Sequence, residues 1–196
     1  MIDVHQLQAR LGVAPDGIIG RATLAALFAR LGAGPQRAAD LALGAAVHFR
    51  SHGLLDSGLR LAHIMAQLTH ESGGFRHLEE LGGDAWIARY ERRADLGNDR
   101  PGDGARFHGR GPIQLTGRLN YRNYGRALGL DFENNSQIVA LPAIGILVAC
   151  RYWVDHGLNA LADADNVEGI TQAINGGLNG LDDRKARLAL ARRLIL

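Results

Sequence analysis

Glu71 closes a run in which Leu61, Ile64, Met65 and Leu68 recur at helical spacing, so it continues the apolar stripe of a helix. Gly73 and Gly74 follow and put it in the final turn. Apolar surroundings and the negative end of a helix both favour a neutral carboxyl. A neutral carboxyl is what proton donation to a departing group requires. A helix-end glutamate paired with Arg76 or His77 fits the same spacing. Acid–base hydrolysis needs a second carboxylate. Glu79, Glu80 and Glu91 lie downstream, among Asp84, Asp95, Asp99 and Asp103, and spacing does not choose between them.

The stretch Gly109-Arg110-Gly111-Pro112-Ile113-Gln114-Leu115-Thr116-Gly117 is the second candidate. Two glycines flank Arg110, where backbone must bend or approach closely. Gln114 and Thr116 alternate with Ile113 and Leu115, so an extended strand would turn an amide and a hydroxyl to one side. A tight turn entering a short strand is the plainer reading. The histidines offer a metal alternative: His48 and His52 are four apart on a helical pattern, and His63, His70 and His77 recur every seven residues. No HExxH sequence or Cys pair accompanies them, and glycines interrupt the series, so helix-face and core positions fit them better. No metal or cofactor is expected. Cys150 is the only cysteine, lies in an apolar run and reads as a small buried residue.

These residues need a scaffold, and the pattern around them is mainly α. Helical apolar spacing runs over Ala38–Arg50, Leu59–Glu71 and Pro142–Trp153, the last apolar nearly all round as a central buried helix would be. Val167, Ile170 and Ile174 mark another helix, and Asp182 or Asp183 could cap the last one. From about Glu79 to Asn120 the chain is rich in glycine and polar residues and reads as a long functional loop. Residues 1–34 form a small helical unit, with a turn at Pro15-Asp16-Gly17 and a break at Gly32-Ala33-Gly34-Pro35; residues 35–196 form the main domain. A unit that short must dock on something or remain marginal.

Composition narrows the function classes. A hydrophobic content of 46% and a charged content of 21% suit a globular chain with a real core. A net charge of +2 does not build a nucleic-acid-binding field. The apolar stretch Ile138–Cys150 contains Pro142 and is too short to span a bilayer, so no membrane insertion is expected. The start MIDVHQLQAR lacks the basic and apolar blocks of a signal peptide, which predicts synthesis in the cytoplasm.

Taken in order, His70-Glu71-Ser72-Gly73-Gly74-Phe75, the 109–117 stretch and Ile174-Asn175-Gly176-Gly177 resemble glycoside hydrolase family 19 chitinases, and most of all the phage-type endolysins that share their fold. The resemblance covers roughly residues 38–196. It implies a lysozyme-like helical domain with a cleft between two lobes. It gives Glu71 the place of the general acid and Thr116 that of the hydroxyl that positions the attacking water. Gln114, Asn120 and Asn175 take cleft-lining positions, with Arg110 counted among the sugar contacts. Arg184, or Arg187, takes the place of the basic residue that supports the acid. Glu80, nine residues after Glu71, matches the endolysin-like base, with Glu91 as the fallback. Family 19 enzymes invert, which predicts carboxyls about 6.5–9.5 Å apart or wider in an open cleft.

At the N-terminus, Leu7-Gln8-x-x-Leu11-Gly12-x-x-x-Asp16-Gly17-x-x-Gly20-x-x-Thr23-x-x-Ala26-Leu27 resembles a shortened peptidoglycan-binding repeat. Peptidoglycan is the substrate this combination implies, attacked by a monomer that reaches the wall after membrane permeabilisation. A chitinase, a zinc-dependent wall peptidase or amidase, and a non-catalytic carbohydrate-binding protein are the alternatives.

Overall fold

The computed structural model describes residues 2–196. Among them the only β pairing is two isolated bridges, Glu79 with Arg110 and Arg110 with Leu115. Asp3 starts α1 (Val4–Leu11) by accepting the Gln6 amide, and Gly12 ends it in the left-handed conformation. α2 (Arg21–Arg30) buries Leu24, Leu27 and Phe28. After a break, Pro35 opens α3 (Pro35–Ser51), where its missing amide costs nothing. The Phe28 ring lies 6.3 Å from Phe49 of α3 and meets Phe75 edge-on at 5.0 Å. The N-terminal helices therefore have no core of their own; Leu7, Leu11, Leu24 and Leu27 belong to the main one.

That main core is built on α3, α4 (Gly58–Glu71) and α8 (Pro142–Asp155). α3 and α8 cross at Gly44, where a Cβ would lie 2.7 Å from the Ala143 carbonyl oxygen and 2.8 Å from its Cα. The obstacle is backbone, so neither helix can yield by a rotamer change. Gly44→Ala is expected to lower stability by about 2 kcal/mol despite alanine's better helix propensity, a fall of roughly 4–8 °C in thermal midpoint. A midpoint unchanged or raised in calorimetry would show that the two helices do not meet there.

α8 buries Ile146, Val148, Ala149, Cys150 and Trp153 but exposes Val154, and Leu141 just before it is exposed as well. The fully enclosed helix is α4 instead, with every residue from Leu61 to Thr69 buried. Its polar members conceal this from a count of apolar residues, and each has a partner. His63 bonds Asp165, Gln67 accepts from Arg184, and Thr69 donates to the Met65 carbonyl. α9 (Leu158–Asp163), α10 (Val167–Asn175) and α11 (Leu181–Ile195) close over α4. The cap of α11 is Gly180, not Asp182 or Asp183; Asp183 lies in the first turn, bonded to His70 and Arg187.

The second lobe has its own small core of Phe107, Leu115, Tyr121, Phe132, Val139 and Val148. It contains the short helices α5 (Asp84–Ile87) and α6 (Asp103–Arg106), which apolar periodicity does not reveal, and the longer α7 (Arg118–Leu128), whose Tyr121, Tyr124 and Leu128 pack on this core. Arg118 opens α7 from a buried position, paired with Asp103 and Glu133, while Arg122 also holds Glu133. Hydrogen bonds from these two arginines, with their charge, outweigh burial and hold the Glu133 carboxyl down at about 2. This network ties the irregular segment to α7, and the functional candidates lie between the two lobes.

Candidate active site

Glu71 occupies the last turn of α4, one-fifth exposed, with Arg184 of α11 on it at 2.5 Å. Arg184 is buried and donates to Gln67 as well, so one guanidinium spans two side chains a helical turn apart. Glu71 is thus not a lone carboxyl in an apolar pocket, and neither Arg76 nor His77 is its partner. Arg76 donates to the Gly73 carbonyl. Arg187 pairs with Asp183, leaving Arg184 alone beside Glu71. Arg184 is enclosed, and the guanidinium contacts are with Glu71 and Gln67.

A cleft of about 380 Å³ is lined by Gln114, Thr116, Asn120, Tyr124, Tyr152, His156 and Ile174, with Leu96, Ile113 and Leu115. Burial and the negative charge of Glu71 both push the Tyr152 phenol up. Tyr152 donates to the Ala173 carbonyl and stacks on His156 at 3.9 Å, which makes a flat wall from the last turn of α8 and the residue that caps it. Sequence reasoning missed this wall; a Tyr and a His at helical spacing in an otherwise apolar helix were the available signal.

The 109–117 stretch is a turn with its ends pinned, not a strand. Arg110 and Leu115 exchange backbone hydrogen bonds, the Gln114 amide reaches the Gly111 carbonyl, and Gln114 is left-handed at φ 59°. The turn still brings the two polar side chains together. Gly109 is the focus: a Cβ there would lie 2.6 Å from Gln114 Oε1, 3.2 Å from Glu80 Oε2 and 3.3 Å from Thr116 Oγ1. Three polar oxygens thus surround a position that only glycine leaves open. Asn120 sits a turn into α7 and donates to the Thr116 carbonyl, so its own carbonyl is not used by that bond. Asn175 stands exposed at the end of α10 beside Ile174, donating to the Asn179 carbonyl.

Arg110 and Glu91 are held by other partners. Arg110 is buried, with its guanidinium on Glu79, the Arg106 carbonyl and Tyr121, so it braces the turn. Its partner Glu79 also holds His108. Glu91 accepts the amides of Gly102 and Gly104 at 2.7 and 2.8 Å, clamping the start of α6.

Glu80 is different. Trp86, Arg89 and Tyr90 donate to its Oε1, and the Gly109 amide donates to Oε2. Burial would raise this carboxyl, but those hydrogen bonds and the Arg89 charge prevail and hold it below the usual glutamate range. It is an ionised carboxylate at neutral pH. The histidines do not converge: His63 is bonded to Asp165, His70 to Asp183, and His52 to the His48 carbonyl. Burial, with the Arg192 charge, drives His63 down to about 4, so it is neutral in the core.

A family model described as chitinase class I, glycoside hydrolase family 19, matches residues 47–172. A glycosyl hydrolase family 19 domain-containing protein of Haemophilus influenzae is 32% identical over 154 residues, covering 64% of this chain and 75% of that protein. Endochitinase EP3 of Arabidopsis thaliana is 34% identical over 124 residues, covering 63% of this chain and 44% of its own length. The chain thus spans only about half the length of such plant relatives. Among solved structures, chitinase C of Streptomyces griseus superposes with a TM-score of 0.72 at 20% identity, covering 91% of this chain and 94% of that one. A class IV chitinase of Zea mays gives a TM-score of 0.64 at 20% identity, covering 90% of each. At such identity these two establish the shared fold.

Proposed function

Because this chain belongs to glycoside hydrolase family 19, we propose that it cleaves β-1,4 bonds between the N-acetylated amino sugars of bacterial peptidoglycan by an inverting acid–base reaction. The observation that carries the mechanism is the convergence of Glu80 Oε2, Thr116 Oγ1 and Gln114 Oε1 on the space above Gly109. A water held beyond that point, among the three clustered oxygens, can give a proton to Glu80 while Thr116 and Gln114 orient it. Its oxygen forms the new bond to the anomeric carbon from one face. The glycosidic bond breaks on the other face, and Glu71 protonates the departing oxygen. Arg184 meets the negative charge then left on Glu71, in a buried setting where such a contact is strong. Gln114, Asn120 and the Tyr152–His156 wall contact the sugars, with Asn175 at the rim.

Filling the Gly109 position tests the water site with both carboxyls kept in the chain, by placing a methyl 2.6 Å from Gln114 Oε1 and 3.2 Å from Glu80 Oε2. The backbone there is ordinary, so Gly109→Ala is tolerated by the chain, but its methyl competes with the water. A loss of turnover of about 10²-fold is expected, with little change in thermal midpoint. Full activity in this variant removes the water from that place.

Peptidoglycan is favoured over chitin by the N-terminal motif. Its Gln8 is buried and bonds Asp16, Thr23, the Ile18 carbonyl and the Gly17 amide, so the repeat-like residues are knitted into one unit. On this reading the enzyme works at the bacterial wall, reached after membrane permeabilisation. The test is mass spectrometry of borohydride-reduced products from purified walls, run beside chitin oligomers. New reducing ends from walls support the reading, with muramic acid marking a muramidase and glucosamine a glucosaminidase. Cleavage of chitin alone contradicts it and makes the chain a chitinase.

A further inference from the structure

The two oxygens of Glu80 are held unequally. Oε1 accepts from Trp86 Nε1 at 2.7 Å, the Arg89 guanidinium at 2.9 Å and the Tyr90 hydroxyl at 2.9 Å. Oε2 accepts only the Gly109 amide, at 3.2 Å. All three donors to Oε1 come from α5 and the single turn that follows it, and they are stacked into one body. The Arg89 guanidinium lies 3.5 Å from the Trp86 ring centroid and 4.7 Å from that of Tyr90, and it also donates to the Tyr90 hydroxyl. Gly82 lets this body close on the chain: a Cβ there would sit 2.3 Å from Trp86 Cδ1.

We propose that Trp86, Arg89 and Tyr90 are positioning residues that saturate one oxygen of Glu80 and so commit the other, Oε2, to taking the proton from the attacking water. This rests on Glu80 being the base. A carboxylate oxygen has two lone pairs, and three donors on Oε1 leave it no capacity for a further proton. The same three bonds stop rotation of the carboxylate, so the lone pair of Oε2 that the Gly109 amide leaves free stays aimed at the space that Thr116 and Gln114 also face. The proton therefore has one acceptor atom and one direction. Donors to the ionised form also keep the base ionised at lower pH, in accord with the downward displacement of this carboxyl.

The test uses the full chain with Trp86→Phe, Tyr90→Phe, Gly82→Ala and, as reference, Glu80→Gln. Gly82→Ala replaces no member of the site and acts on it only through the seat of the Trp86 ring. Wall-hydrolysis rate and half-saturation are measured from pH 3 to 8, and the Glu80 carboxyl is titrated by carbon-13 NMR, assigned by its loss in Glu80→Gln. The expected result is a 10- to 100-fold lower saturating rate at unchanged half-saturation, with the acid limb of the profile and the Glu80 midpoint both moved to higher pH. A purely structural role lowers the amount of active protein and leaves the acid limb in place. Wild-type rate and an unmoved midpoint in all three variants, with Glu80→Gln inactive, overturn the positioning role and leave the base assignment standing. Full activity of Glu80→Gln overturns the base assignment, and the positioning role with it.

Discussion

Glu71→Gln is expected to cut wall hydrolysis by about 10³-fold or more while the chain stays folded. A general acid contributes about 10²–10⁴-fold, and an amide of the same shape has no proton to give at that step. The fold survives because the Gln carbonyl still accepts from Arg184, so the buried guanidinium keeps an acceptor. The cost is that of exchanging a charged for a neutral acceptor, about 1–2 kcal/mol. A dye-release assay on labelled walls, run beside a thermal melt, checks both halves. Wall lysis at the wild-type rate by a well-folded variant removes Glu71 from the chemistry. Binding to walls that is unaltered by the substitution, with no bond cleavage in either protein, marks the chain as a carbohydrate-binding relative instead.

Arg184→Ala is expected to have the largest effect on stability. Arg184 is buried, and its removal leaves Gln67 and Glu71 facing an apolar void without their donor. Breaking one side of an enclosed ion pair costs about 3–5 kcal/mol, and the partial exposure of Glu71 puts the value near the lower end. For a chain of this size that is roughly 6–12 °C in thermal midpoint. Activity falls as well, since the charge left on Glu71 after proton transfer loses its partner. Arg187→Ala is the control: its contacts are with Asp183 at the surface, and both stability and rate stay near those of the wild type. Equal losses in the two variants contradict the assignment of Arg184.

The parts of this fold written in apolar periodicity were readable from the sequence alone. α3, α8 and the ends of α4 follow from Leu, Ile, Ala and Phe spacing, because those helices bury a continuous stripe. Tyr121, Tyr124 and Leu128 of α7 do recur at helical spacing, but the glycine-rich segment before it and an arginine at the helix start, which reads as surface, hide where it begins. It is held by the Asp103–Arg118–Glu133 network, and that pairing depends on residues brought together from three segments. The same applies within the site. Glu71 was visible because it sits on a stripe, and the link from Glu80 to Gly109 was not, because a loop has no period. Arg110 and Glu91 looked available, since nothing local to them shows that Glu79 and the amides of Gly102 and Gly104 engage them. The enclosure of His63 and Gln67 was hidden for the converse reason: polar residues enter a core only when a distant partner satisfies them.

Inversion ties the two carboxyls, Thr116 and the space above Gly109 into one reaction, and it is read directly from the first-formed product. Proton NMR of that product, recorded before mutarotation, is expected to show the α-anomer at the new reducing end of a β-linked strand. A β-anomer formed first means retention, and it would contradict a mechanism in which Glu80 delivers water opposite Glu71.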